Sequence, residues 1–197
     1  MRIPLLTVLL LALAAPGLTA QADSAATALP YYQIPDYPAD YGPGNVLARA
    51  VDALGFRYHW ATEGLRAEDL AYRPSPEARD CRETLVHLLN LAEMVRSAAV
   101  GEVFAAPAGG DSLSYPELRR ATLERVREAS AAFAGLPADS LAQRPITFGS
   151  GANAPVWNLI NGPLADAIYH TGQIVTLRRA SGNPMPRGVN VFRGKKE

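Results

Sequence analysis

The sequence predicts an all-α protein: a four-helix bundle with long crossover connectors, preceded by an extended Pro/Tyr-rich arm. Two local observations carry this. Four stretches space apolar residues three and four apart, the repeat of one helix face, and capping residues and Gly or Pro punctuate them. No stretch alternates apolar and polar residues toward a hairpin turn. The overall size agrees, since 48% of the 197 residues are apolar, enough for one core and short for two ordinary domains.

The chain opens with Met1 and Arg2, then an apolar run from Ile3 to Leu18 that ends in Ala20-Gln21-Ala22. A basic start, an apolar run and a small-x-small ending describe a secretory signal peptide, residues 1–22, cleaved near Ala22. Pro4 and Pro16 break the run, which is short for a membrane span. The expectation is a secreted or periplasmic protein with no stable membrane insertion after cleavage. The alternative is an N-terminal anchor that stays attached. Residues 23–44 alternate Tyr31, Tyr32, Tyr37 and Tyr41 with Pro30, Pro35, Pro38 and Pro43. Each proline biases its neighbour toward extended backbone, so this segment reads as an arm. It is either laid over the domain by its tyrosines or free as a stalk.

The bundle is expected over 45–184, with a C-terminal tail over 185–197. In its first helix Leu47, Ala50, Val51, Leu54, Tyr58, Ala61 and Leu65 share one arc, and Gly64 lies near its end. Pro74 and Pro76 mark residues 66–79 as a connector. The second helix starts at Asp80, with Glu83 three positions on as in a capping box, and runs to Val100 before Gly101. A loop over 102–113 follows. The third helix starts from Ser114 and Glu117 and runs through Phe133 to Gly135. A connector over 135–154 leads to the last helical region, from about Pro155. Gly162-Pro163 interrupts that region, with a kink or restart and Asn161 as a candidate cap. Ser181-Gly182-Asn183-Pro184 stops it.

Composition narrows the chemistry. Nineteen basic residues balance nineteen acidic ones, which argues against a nucleic-acid partner. A single cysteine excludes an intramolecular disulfide and a cysteine-rich zinc site. Cys81 falls in the first turn of the second helix, where a thiol can be activated, yet no histidine is local to it. No Gly-x-Ser-x-Gly elbow occurs, and Gly149-Ser150-Gly151 lacks a following lysine for a phosphate loop. Trp60 and Trp157 read as packing residues. Arg178 and Arg179 read as favourable charge at a helix C-terminus rather than as an anion site.

The three histidines are separated by helical geometry. His59 lies nearly opposite the apolar arc of its helix and should face solvent or the arm. His87 lies within the apolar arc of the second helix, beside Leu91, Met94 and Ala98. A histidine facing a core needs hydrogen-bond partners or a metal. Asp166 and His170, at i and i+4, share one face of the last helix, and Gln173 and Leu177 continue it. His87, Asp166 and His170 are therefore candidate metal ligands, two from one helix and one from another, with positions left open for water or substrate. The alternative is a buried hydrogen-bond network of the same three residues.

The segment Leu164-Ala165-Asp166-Ala167-Ile168-Tyr169-His170-Thr171-Gly172-Gln173-Ile174, closed by Gly182-Asn183-Pro184, resembles the last helix of DinB-like proteins. Glu83-Thr84-Leu85-Val86-His87-Leu88-Leu89 resembles their second helix, and Leu70-Ala71-Tyr72-Arg73-Pro74 their first connector. The resemblance spans roughly residues 44–185. It implies a four-helix bundle holding a metal near one end by three histidines, one from the second helix and two from the last. His87 and His170 match two of these, and Asp166 stands at the third, where carboxylate is a normal ligand. It implies a divalent ion, zinc first, with nickel, iron or manganese as alternatives. Some members are metal-dependent thiol transferases or maleylpyruvate isomerases. The expected function is a metal-dependent hydrolase or transferase acting on a small molecule, and a homodimer is compatible with such a bundle. A non-catalytic helical binding protein is the alternative. A secreted protein would not meet a cytosolic low-molecular-weight thiol, which weighs against the thiol-transferase reading.

Overall fold

A computed structural model describes residues 28–197; the segment read as a signal peptide and the first residues of the arm lie outside them. The described chain is mostly helical. Helix α1 spans Pro43–Ala61, α2 Ala67–Leu70, α3 Cys81–Val100, α4 Tyr115–Phe133 and α5 Ala138–Ala142; α6 Val156–Leu159 continues through a wide turn into α7 Ala165–Ala180. Helix α1 starts two residues earlier than its apolar arc implies, because Pro43 occupies the first turn. Its missing N–H costs nothing there and its fixed φ suits the helix. It also ends earlier, at Ala61, ahead of Gly64.

Helix α3 follows its sequence signals closely. Asp80 Oδ1 accepts from the Glu83 amide at 2.8 Å, and Glu83 Oε2 accepts from the Asp80 amide at 2.9 Å. Gly101 closes the helix with φ of 76°, a left-handed backbone that glycine adopts without strain. At the start of α4, Glu117 accepts from both the amide and the hydroxyl of Ser114. The main neighbours of α1 are α4 and α7, and α3 packs chiefly on the same two helices. Leu54, Leu85, Leu88, Leu123, Phe133 and Ile174 meet in the core they enclose, all but inaccessible to solvent. Each such side chain contributes about 1.5–3 kcal/mol on burial. Among the described residues no helix is long and apolar enough to cross a membrane.

Short strands qualify the all-α expectation. β1 Val103–Phe104 pairs in parallel with β2 Ile146–Phe148, and β2 pairs antiparallel with β3 Asn153–Ala154. β4 Val189–Asn190 and β5 Lys195–Lys196 form a hairpin in the tail. Strands of two or three residues are too short to show an alternating period.

The arm lies over α1, but only one tyrosine buries itself to hold it. Tyr31 is 7% exposed and its hydroxyl donates to Asp52 at 3.0 Å, whereas Tyr37 and Tyr41 are 82% and 96% exposed. Gly55 permits the approach, since a Cβ there would sit 2.5 Å from the Tyr31 ring. Backbone carbonyls do the rest. Pro35 O accepts from Arg49, Tyr32 O from the Trp60 indole, and Pro30 O meets His59 Nδ1 at 2.6 Å. His59 is therefore covered by the arm, not exposed. Trp157 departs from its expected packing role. Val156 and Leu159 take the core side of one-turn helix α6 and leave Trp157 73% exposed.

The connector after α1 is fastened by Asp69, whose carboxylate is fully buried. It accepts from the Arg66 amide and guanidinium, the Ser181 hydroxyl and the Asn183 amide. The Arg66 guanidinium, with these other donors, holds its pKa well below the ordinary carboxylate range. A depressed folded-state pKa contributes stability that is present above the unfolded value, near 3.9, and lost as pH falls below it. Asp69→Asn is expected to lower stability at neutral pH by about 1–3 kcal/mol. It should also flatten the loss of stability below about pH 4, measured by urea unfolding across pH. An unchanged acid limb in the variant would remove Asp69 from that role.

Candidate metal centre

The centre lies where the first half of α3 meets the start of α7. His87 sits in the second turn of α3, held inward by the apolar arc that carries Leu88, Leu91 and Ala98 into the core. The approach to α7 is shaped by Gly162-Pro163. Pro163 has no N–H to offer the Leu159 carbonyl, and the chain widens into a π turn over Ile160–Leu164, with Gly162 at φ −98° and ψ −110°. Regular helix resumes immediately, without a side-chain cap from Asn161. Asp166 falls in the first turn of α7, where a carboxylate is favoured by the helix dipole, and His170 lies one turn on.

These three residues converge. Asp166 Oδ2 lies 3.4 Å from His87 Nε2, and Asp166 Oδ1 lies 3.3 Å from His170 Nε2. One ligand atom from each can be chosen with all of them within 4.8 Å of one another. The two imidazoles meet edge to face, with centroids 4.6 Å apart. The side chain of His170 is 13% exposed, that of His87 28% and that of Asp166 43%, so the centre is open on the carboxylate side. Burial, then the positive charge of Arg79 and the facing His170, pull the His87 pKa below its ordinary value and keep the ring neutral, the form that binds metal.

Two chemistries bear on these separations. At 3.3–3.4 Å both histidine–carboxylate contacts are longer than ordinary N–H···O hydrogen bonds. Ligand atoms each about 2.0–2.1 Å from a shared tetrahedral zinc lie about 3.3–3.4 Å apart; the two contacts here use different oxygens of Asp166, and one atom from each residue falls within the wider limit of 4.8 Å of the others. The donor set also fits: two imidazole nitrogens and one carboxylate are ordinary zinc ligands, and a three-ligand site leaves a position open. Among the described residues this is the single group of three such side chains that converges.

Gln173 completes the arrangement. Its Oε1 lies 2.6 Å from His170 Nδ1, a contact that turns the Nε2 edge of the ring toward the centre. The sequence put Gln173 on the ligand face by its spacing, and its orienting contact emerges with the side-chain geometry. Gln173→Ala is expected to weaken zinc binding about 10–100-fold while leaving one site per chain, by competition titration. Unchanged affinity would show that the contact orients nothing.

The remaining candidates separate from the centre. Cys81 is buried, and burial, reinforced by the nearby carboxylates of Asp69 and Asp80, pushes its thiol up to about 12, far from a nucleophile's range. Arg178 is fully buried and binds carbonyls, while Arg179 is exposed. His59 serves the arm. Comparison with protein-family models, with characterised proteins and with solved structures finds no match to this chain.

Proposed function

We propose that the protein is a DinB-like four-helix bundle with crossover connectors, exported to the periplasm or beyond the cell, that binds one divalent metal through His87, Asp166 and His170. The metal is zinc first, with nickel, iron or manganese as alternatives. The convergence of two imidazole nitrogens and a carboxylate, one atom from each within 4.8 Å of the others, carries this reading. The helix contacts support the crossover arrangement, because α1 and α3 each pack chiefly on α4 and α7 rather than on each other. The proposed activity is metal-dependent hydrolysis or group transfer on a small molecule.

A divalent metal there would lower the pKa of a bound water toward neutrality and polarise a substrate oxygen. The chain's own residues set the conditions for this. His87 enters as a neutral ring from the apolar face of α3. His170 is oriented by Gln173. Asp166 brings a negative charge and leaves its side accessible. The reading is tested by metal analysis of freshly purified protein, with thermal unfolding in zinc and in chelator. One metal per chain and a lower melting temperature in chelator are expected. A metal-free protein whose melting temperature ignores zinc and chelator would favour the non-catalytic helical binding protein instead.

A further inference from the structure

A cavity of about 490 Å³ opens beside the centre, between the connector before α3 and the exposed side of α7. His170 and Gln173 form its inner edge; Tyr72, Pro74, Arg79 and Thr176 are among its other walls. No carboxylate lines it. The two arginines of that connector differ. Arg73 is engaged by Asp80 and Glu83, at 3.0 and 2.9 Å. Arg79, on the cavity wall, has no hydrogen bond or ion pair among the described residues. Its charge is felt both at His87 and at the Glu83 carboxylate. Gln173 spends its oxygen on His170, which leaves the amide N–H groups as donors at the same wall. The opposite flank of Asp166 is apolar in character, with Leu91, Met94, Pro163 and Tyr169. Both flanks of the centre are largely apolar, and the one beside His170 adds a single guanidinium and an amide donor.

We propose that the cavity beside His170 is the substrate pocket of the centre and takes small organic carboxylates, with the carboxylate group held by Arg79 and the Gln173 amide. The assignment rests on the metal-centre reading for its function, though the anion site can be tested apart from it. A guanidinium offers two parallel N–H groups to a carboxylate, a geometry that a lysine or an amide does not reproduce. A carboxylate seated there lies beside His170, whose ring borders both the cavity and the centre.

The test compares benzoate with its neutral analogue benzamide, by ligand-observed NMR titration of wild type, Arg79→Gln and Arg79→Lys. Each protein is studied zinc-free and zinc-loaded, and zinc stoichiometry is measured in parallel. Wild type should prefer benzoate by about tenfold or more, the lower end for a charge-assisted hydrogen bond. Arg79→Gln should lose that preference and Arg79→Lys keep part of it. Benzoate and benzamide binding alike, neither binding, or a preference unaltered in Arg79→Gln would each overturn the proposal. The last result in zinc-loaded protein alone would assign benzoate to the metal itself. If zinc does not bind but the preference still depends on Arg79, the anion pocket stands and the metal reading falls.

Discussion

Arg178→Met is expected to lower the unfolding free energy by about 3–5 kcal/mol, the range for breaking a buried charged network on one side. Helix α1 ends with carbonyls that no later turn can satisfy. Arg178 comes from α7 and is 1% exposed; its Nη1 donates to the carbonyls of Trp60, Ala61 and Glu63, and its Nε to that of Asn183. Arg119, from α4, adds bonds to the carbonyl of His59 and the hydroxyl of Thr62, and Tyr115 donates to the Thr62 carbonyl. The end of α1 is thus sealed by side chains from both of its neighbouring helices. Burial lowers the Arg178 pKa from its ordinary value, but a guanidinium stays charged, and the carbonyl dipoles at a helix C-terminus face that charge. Methionine fills similar space and donates nothing, so buried carbonyls lose their partners. For a chain of this size the melting temperature should fall by roughly 6–20 °C. Arg178→Lys should fall between, since one ammonium cannot reach every acceptor. Arg179→Met, on the exposed face, should stay within about 0.5 kcal/mol. Denaturant unfolding of the three variants checks this. An Arg178→Met variant as stable as Arg179→Met would show that the carbonyls find other partners.

That arginine also marks where sequence reading stops. Arg178 and Arg179 are adjacent and chemically alike, and the expectation of helix C-terminal charge applied to both. The principle holds for Arg178, but the end it serves belongs chiefly to another helix. Which of two neighbouring arginines turns inward depends on packing, and periodicity does not report it. Helix α3 was legible to the residue because its signals are local: a capping box at Asp80 and Glu83, and a glycine at 101. Helix α1 was legible in its face and misplaced at its ends, because Pro43 begins it and its C-terminal residues are fixed by tertiary bonds. Strand β1 pairs with residues more than forty positions away, as Val103 does with Thr147, and the close pairs β2–β3 and β4–β5 are too short to carry a period. His59 was read as facing solvent or the arm, and it faces the arm. Its position opposite the apolar arc was read correctly, and the arm covers that position. The candidate site was more legible than much of the fold. A polar ring in an apolar arc and an i, i+4 pair are both local patterns, and the helix pairing brings them together. The Arg79 cavity was not, because its wall is an irregular connector whose course follows from contacts rather than from a repeat.

Removing any one of the three converging side chains should abolish tight zinc binding. Substitutions that merely disturb the orientation of a ligand cost about 10–100-fold in metal affinity, so loss of a ligand should exceed 100-fold. His87→Ala, Asp166→Ala and His170→Ala are each expected to show it, and Asp166→Asn likewise, because an amide oxygen lacks the carboxylate's charge. Asp166→His should retain binding, since three imidazoles are an established zinc set and the position already faces the other two ligands. Zinc at a hundredfold excess over its dissociation constant stabilises a folded protein by about 2.7 kcal/mol, provided the unfolded chain does not bind it. This corresponds to a rise of about 5–11 °C in melting temperature for a chain of this length. The rise should be present in wild type and Asp166→His and absent in the alanine variants. A hydrogen-bond network of the same residues makes the opposite set of predictions. Alanine would then lower the melting temperature by a fixed amount whether or not zinc is present. Asp166→His would behave like alanine, because a third neutral ring replaces the only charged acceptor between the two histidines. Melting curves of the five variants with zinc and with chelator therefore separate coordination from hydrogen bonding. A zinc-independent shift shared by Asp166→His and Asp166→Ala would decide against a metal.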